Sequence, residues 1–149
     1  MTQRILSLLN KLILITLTIL GFSCTEDQPD EYGMPYADYK INGAVVSEET
    51  LERLQNIQVV MQDSEMIDIH ADTCYTDANG LYEVKLKNWT SNKTYIFKCI
   101  DVDGKVGGFY EPLDSTIRFE NAEFENSNGN WDRGEVTKTI LVKLAAKED

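Results

Sequence analysis

His70, Asp72 and Cys74 are spaced so that an imidazole, a carboxylate and a thiolate could share one face of a β-strand and bind a soft metal ion. They occupy positions i, i+2 and i+4, and alternate residues of a strand point to the same side. His70 is the one histidine of the chain, however, and no second group of ligands accompanies it. The sequence therefore favours an ordinary strand, and we predict no metal and no other cofactor.

Catalysis is weakly supported because a serine, cysteine or threonine nucleophile needs a base, and His70 is the one histidine of the chain. The 25 acidic residues could supply a carboxylate pair, but their number makes any single pair uninformative. The runs 77–80 (Asp-Ala-Asn-Gly) and 101–104 (Asp-Val-Asp-Gly) resemble the starts of calcium loops, but both lack the distal glutamate and are typical of hairpin turns. We predict that the chain is not an enzyme. A small envelope hydrolase or metal-dependent enzyme is the alternative.

Cys24 separates an apolar run over residues 12–22 from the acidic run Thr25–Glu31. Arg4 and Lys11 precede the apolar run, which is too short to span a bilayer comfortably and is typical of an export signal. A cysteine at this boundary is the residue that the bacterial lipoprotein pathway acylates after cleaving before it. We predict that residues 1–23 are a lipoprotein signal peptide and that acylated Cys24 attaches the protein to the membrane.

Gly21 and Ser23 leave a second interpretation open. Lipoprotein signals usually carry a leucine-like residue where Gly21 stands, and Gly21-x-Ser23 also suits ordinary signal peptidase, which would leave Cys24 unmodified. We favour acylation because Cys24 lies at the boundary and an acidic tether follows. The predicted location is the cell envelope, as an outer-membrane lipoprotein on the periplasmic face or the cell surface.

The charge balance restricts the partners. The net charge of −11 becomes −13 once Arg4 and Lys11 leave with the signal, which argues against nucleic acid and against an anionic membrane surface. If Cys24 is acylated, Cys74 and Cys99 remain as an even pair in an oxidising compartment. They could form a disulfide or remain two small buried thiols, and the sequence slightly favours the thiols.

Three aromatic residues in polar surroundings, Tyr36, Tyr110 and Trp131, are candidates for a binding patch. Aromatic rings stack on sugars and anchor protein interfaces, so the partner would be an envelope protein, a peptide or a glycan. The alternative is that these rings close the ends of a small core.

The elements that position these residues are mostly short strands. Residues 24–37 are acidic, contain two prolines and predict a flexible tether. Residues 38–149 predict about seven strands at the spacing of a β-sandwich, within 39–46, 57–61, 73–76, 81–86, 94–101, 116–119 and 137–143. Between the first two strands, Ser47–Leu54 predicts a helical turn. The predicted fold is an all-β, Greek-key sandwich of prealbumin or Ig type, which follows a signal helix and the tether.

The run Thr76-Asp77-Ala78-Asn79-Gly80-Leu81-Tyr82, with 43–46 and 57–60 before it, resembles the carboxypeptidase-regulatory-like, prealbumin-type sandwich. In that family a strand ending in Thr-Asp leads into a glycine-containing turn and an aromatic strand. Asp77 can accept hydrogen bonds from the turn, Gly80 tolerates positive φ, and Tyr82 can cap the core.

More specifically, the chain resembles the radical-SAM-associated lipoproteins, through residues 30–37 (Asp-Glu-Tyr-Gly-Met-Pro-Tyr-Ala) and 128–135 (Asn-Gly-Asn-Trp-Asp-Arg-Gly-Glu). The resemblance implies an exported lipoprotein with a small sandwich domain, and it brings no catalytic residues. Because the sequence shows no pairing of a base with a nucleophile, we predict a non-catalytic binding or accessory module. A further hypothesis is that the chain is a substrate of a neighbouring radical-SAM enzyme, modified at Cys74 or Cys99.

Overall fold

Seven β-strands form two sheets that pack face to face. The computed structural model describes residues 33–66, 70–104 and 108–147. One sheet has the order β4-β1-β7 and the other β3-β2-β5-β6, which confirms the prediction of an all-β sandwich. The strands are β1 (Tyr36–Ser47), β2 (Ile57–Asp63), β3 (Ala71–Tyr75), β4 (Leu81–Trp89), β5 (Lys93–Asp101), β6 (Leu113–Phe119) and β7 (Asp132–Leu144).

The core lies between the sheets and follows the alternation of the strands. Tyr82, Val84 and Leu86 of β4 are buried, and every second residue of β5 from Lys93 to Cys99 points inward. At one end the ring of Tyr39 packs against three aromatic rings, those of Tyr95, Phe119 and Phe124, with ring centres 5.3–5.6 Å apart. No helix within the described ranges is long and apolar enough to cross a membrane.

β1 is the central strand of the three-stranded sheet, antiparallel to β4 and parallel to β7. Gly43 allows β7 to approach, because its φ is +154° and a Cβ there would collide with the carbonyl oxygen of Ile140. Tyr82, the β4 partner of Gly43, reaches across β1, and its hydroxyl donates to that same carbonyl at 3.0 Å. A side chain at position 43 would therefore disturb the contact between all three strands.

Side chains join the two sheets at both of their open sides. On one side, the Lys85 amide of β4 donates to Asp72 Oδ2 of β3 at 2.7 Å. On the other side, Lys138 of β7 donates to the carbonyl oxygen of Arg118 on β6 and covers the ring of Phe119. An inward-pointing lysine also discourages the addition of a foreign strand at an edge.

The turn after β3 has the geometry expected from its sequence. Asp77 Oδ1 accepts hydrogen bonds from the amides of Asn79 and Leu81, both at 2.8 Å, and Gly80 has a φ of +68°. Tyr82 is 5 % exposed and caps the core. The predicted roles of all three residues of this motif are confirmed.

Several segments differ from the predicted boundaries. β6 and β7 begin earlier than predicted, at Leu113 and Asp132. β1 begins at Tyr36, two residues inside the predicted tether, because Ala37 is fully buried and Tyr36 pairs with Trp89. The segment after β1 forms a single turn, in which the Leu51 amide donates to the Ser47 carbonyl. It extends no further because Leu51 has a φ of +60°. The predicted signal peptide, Cys24 and most of the predicted tether lie outside the described residues.

Candidate functional site

The three candidate aromatic residues lie at opposite ends of the sandwich. Tyr36 and Trp131 are neighbours, since the Tyr36 amide donates to the Trp131 carbonyl at 2.9 Å. Trp89 pairs with Tyr36 across β1 and β4 and is 46 % exposed. Tyr110 lies at the other end, where its amide donates to Asp101 Oδ2 at 3.0 Å. The structure thus places Tyr36, Trp131 and Trp89 at one end and leaves Tyr110 apart from them.

The outer face of the β4-β1-β7 sheet carries a continuous apolar row. The pairing register places Ala44 between Leu81 of β4 and Leu141 of β7, and the two leucines are 48 % and 57 % exposed. The small alanine between two projecting leucines leaves a groove of about 450 Å³, with Arg53 at its border. We call this feature the Leu81–Leu141 groove.

The rest of that outer face is polar. The next row along the strands contains Glu83, Asn42 and Thr139, and Asn42 accepts a hydrogen bond from Thr139 at 2.8 Å. Beyond it, Lys40 forms ion pairs with Glu83 at 3.9 Å and with Glu135 at 3.0 Å. A contiguous apolar patch that is surrounded by polar residues is the kind of surface that marks an interaction site.

In the structure, Asp72 accepts backbone hydrogen bonds and Cys74 packs against the core. Both point toward the core side of β3, where Asp72 accepts hydrogen bonds from the Lys85 and Thr73 amides. The His70 amide donates to the Met66 carbonyl. No group of three His, Cys, Asp or Glu side chains in the described part of the chain could hold a metal ion.

Cys74 and Cys99 are free cysteines that flank the same residue. Both pair with Val59 of β2, Cys74 from β3 and Cys99 from β5. Strands two apart in a sheet are separated by about 9.5 Å, beyond the reach of a disulfide. Of the two alternatives that the sequence left open, a disulfide and a pair of free thiols, the structure contains the free thiols. Burial raises the pKa of Cys99 to about 12 and also raises the pKa of Cys74, so both are poor nucleophiles.

A cleft of about 230 Å³ lies between the β1–β2 connection and the end of β5. Asp101 and Asp103 border it, and Asn56 donates to Asp103 at 3.4 Å. Burial, together with the neighbouring Asp103, raises the pKa of Asp101. These two carboxyl groups and one amide are fewer than the roughly six to eight oxygen ligands that calcium takes.

The most polar part of the interior consists of Asp63, Asn88 and Lys93, which we call the Asp–Asn–Lys cluster. These residues are 0 %, 4 % and 8 % exposed and belong to β2, β4 and β5. Asp63 Oδ2 lies 2.5 Å from Asn88 Nδ2 and 3.9 Å from Lys93 Nζ. The cluster could not be found from the sequence because its members fall at the ends of separate strands. The available signal was Lys93, a charged residue in a row of inward positions of β5 that are otherwise apolar.

No protein-family model and no curated protein matches the sequence. Among solved structures, the fold is similar to the pilus 2b backbone protein of group B streptococcus (TM-score 0.43, 14 % identity, 72 % of this chain and 40 % of that one). It is also similar to the C-terminal domain of the shaft pilin spaA from Lactobacillus rhamnosus GG (0.40, 14 %, 74 % and 98 %) and to 3-chlorocatechol 1,2-dioxygenase from Rhodococcus opacus 1CP (0.45, 12 %, 79 % and 62 %). The chain thus spans less than half of the streptococcal protein. These distant similarities assign no activity.

Proposed function

We propose that the protein is a lipid-anchored accessory module of the bacterial cell envelope, non-catalytic, that binds a protein or peptide partner in the Leu81–Leu141 groove. The observation that carries the proposal is the apolar row of Leu81, Ala44 and Leu141 on an otherwise polar sheet face. Apolar anchors in a small pocket surrounded by polar groups are the usual centre of a protein interface.

The groove favours a protein or peptide over a glycan. Its projecting side chains are those of Leu81 and Leu141, and Asn42, Thr139 and Arg53 also line it. Tyr82, the aromatic residue of the lining, is only 5 % exposed, whereas sugars are usually held by exposed aromatic rings. We expect the partner to place an aliphatic or aromatic side chain over Ala44 and a carboxylate beside Arg53.

A photo-crosslinking residue at position 141 tests this binding in living cells of the native host. The matched control carries the same residue at Thr137, which lies on the same strand and the same face but two rows away from the groove. We expect a discrete crosslinked product from position 141 that disappears when Ala44→Glu fills the groove. Equal products from both positions, or a product that survives Ala44→Glu, would contradict the proposal.

The anchoring part of the proposal is supported by the sequence of residues 1–31. Mass spectrometry of the mature N-terminus tests it, with Cys24→Ala as control. Acylated Cys24 is the expected result. An unmodified Cys24 after signal cleavage would make the protein a freely diffusing exported domain, without affecting the groove.

The kinship with radical-SAM-associated lipoproteins remains part of the proposal and is supported by residues 30–37 and 128–135. A substrate role would require modification of Cys74 or Cys99, and Cys99 is fully buried in the fold. We therefore favour the accessory role. Peptide mapping of both cysteines in protein from the native host would reveal a modification and overturn that preference.

A further inference from the structure

The Asp–Asn–Lys cluster holds an amine, an amide and a carboxylate together in the core. These are the groups needed for a lysine amine to replace the amide nitrogen of an asparagine side chain, with a carboxylate to carry the proton. We propose that Lys93 Nζ and the side-chain amide of Asn88 form an intramolecular isopeptide bond, with Asp63 as the proton carrier. The bond would join β4 of one sheet to β5 of the other. It goes beyond the proposed function and does not depend on it.

Position and burial bring the reacting groups together. Lys93 Nζ lies 3.9 Å from Asp63 Oδ2, and Asn88 Nδ2 lies 2.5 Å from the same oxygen. One buried carboxylate oxygen therefore forms an ion pair with the nucleophile and accepts a hydrogen bond from the leaving group. Lys93 Nζ also lies 3.5 Å from Oε2 of Glu65, whose side chain is 75 % exposed. Bulk water is largely excluded, since the three residues are at most 8 % exposed, and reactants held together in a dry site gain a large effective concentration.

The carbonyl of Asn88 is also activated. Its Oδ1 accepts a hydrogen bond from the Trp89 backbone amide at 2.9 Å, and a fixed amide donor stabilises the negative charge that develops on this oxygen during attack. The second oxygen of Asp63 accepts the Glu65 amide at 2.8 Å. This bond fixes the carboxylate so that Oδ2 faces the amine and the amide.

The reaction balances without an oxidant or a further reactant. Lys93 Nζ gives a proton to Asp63 and attacks Asn88 Cγ, so that a new C–N bond forms. Asp63 passes this proton to Nδ2, and the Cγ–Nδ2 bond breaks. The lysine nitrogen loses a second proton as it becomes an amide, and that proton leaves with the ammonia as ammonium. Asp63 ends ionised, as it began, and the buried charge of Lys93 becomes a neutral amide.

The experiment is intact-mass measurement of the protein purified from the native host, followed by tryptic mapping. We expect a mass lower by one ammonia than that of the unlinked chain, no tryptic cleavage after Lys93, and a branched peptide that joins residues 88 and 93. Lys98 is the internal control, because it lies on the same strand, is 38 % exposed and should be cleaved normally.

Variants and one chemical control separate this bond from other losses of ammonia. Lys93→Met and Asn88→Ala should each show the unlinked mass, and Asp63→Asn, which keeps the volume but removes the proton carrier, should leave most molecules unlinked. Asn-Gly sequences such as Asn79-Gly80 also lose ammonia as succinimides, but hydroxylamine cleaves succinimides and leaves an isopeptide bond intact. Wild-type protein with the unlinked mass and normal cleavage after Lys93 would overturn the proposal, whether or not the variants fold.

Discussion

Replacing Thr76 by valine tests the reasoning that a buried hydroxyl helps to attach the β1–β2 connection to the sandwich. Thr76 is 3 % exposed. Its Oγ1 donates to the Leu54 carbonyl at 2.7 Å and accepts the Ile57 amide at 3.0 Å. Valine keeps the shape of threonine but removes both bonds and leaves a buried carbonyl and a buried amide without partners.

The expected loss follows from those two groups. An unpaired buried donor or acceptor costs about 1–3 kcal/mol, so the loss of both partners in Thr76→Val should lower the free energy of unfolding by about 2–6 kcal/mol. For a domain of this size, that corresponds to a fall in Tm of about 8–24 °C. Thr76→Ser is the matched control. It keeps the hydroxyl and loses only a methyl group, which costs about 1 kcal/mol.

The assay is urea denaturation followed by circular dichroism, with thermal melts as a second measurement. Equal slopes of free energy against urea would show that the variants change stability and not the extent of unfolding. The reasoning would be refuted if Thr76→Val were as stable as the wild type within about 0.5 kcal/mol. It would also be refuted if Thr76→Ser lost as much stability as Thr76→Val, because the hydroxyl would then not be the cause.

Two further predictions concern stability. Gly43→Ala should destabilise the fold by more than the about 1–3 kcal/mol of an unfavourable φ, because its Cβ also meets the Ile140 carbonyl. Gly129→Ala, with a φ of +89° and open space around it, should lose only the free energy of the unfavourable φ. Equal losses of stability for the two variants in urea denaturation would show that the contact of a Cβ at position 43 with the Ile140 carbonyl is unimportant. Burial raises the pKa of Cys99 from 9.0 to about 12, so the unfolded chain releases this proton first. Unfolding free energy should therefore be insensitive to Cys99 below pH 9 and fall by up to about 1.4 kcal/mol per pH unit from about pH 9 to 12. Cys99→Ala should make that fall shallower, and an unchanged slope would contradict the assignment.

The sequence predicted the strands well because each has a local signal. Alternation located all seven strands, and the Thr-Asp turn before Tyr82 had the expected hydrogen bonds. The strand ends were less accurate. Tyr36 was assigned to the tether because the prolines before it predict irregular structure, whereas its place in β1 depends on pairing with Trp89 far along the chain.

The groove and the polar cluster could not be read from the sequence, since both depend on contacts between distant residues. Leu81 and Leu141 become neighbours of Ala44 only through the register of β4 and β7 on β1. The three members of the Asp–Asn–Lys cluster come from three different strands. His70 and Asp72, by contrast, had a suggestive local spacing, but the carboxylate of Asp72 is used by the backbone of β4.

The parallel pairing of β1 and β7 has a mechanical consequence. β1 is the first and β7 the last of the described strands, and the start of β1 and the end of β7 lie at opposite ends of one hydrogen-bonded ladder. A stretching force applied through the two chain termini pulls these strands in opposite directions along their length. The whole ladder then carries the load in shear, whereas a hairpin pulled from its open end yields one bond at a time. A domain that is held at its amino end and loaded beyond its carboxyl end therefore resists tension through its two longest strands.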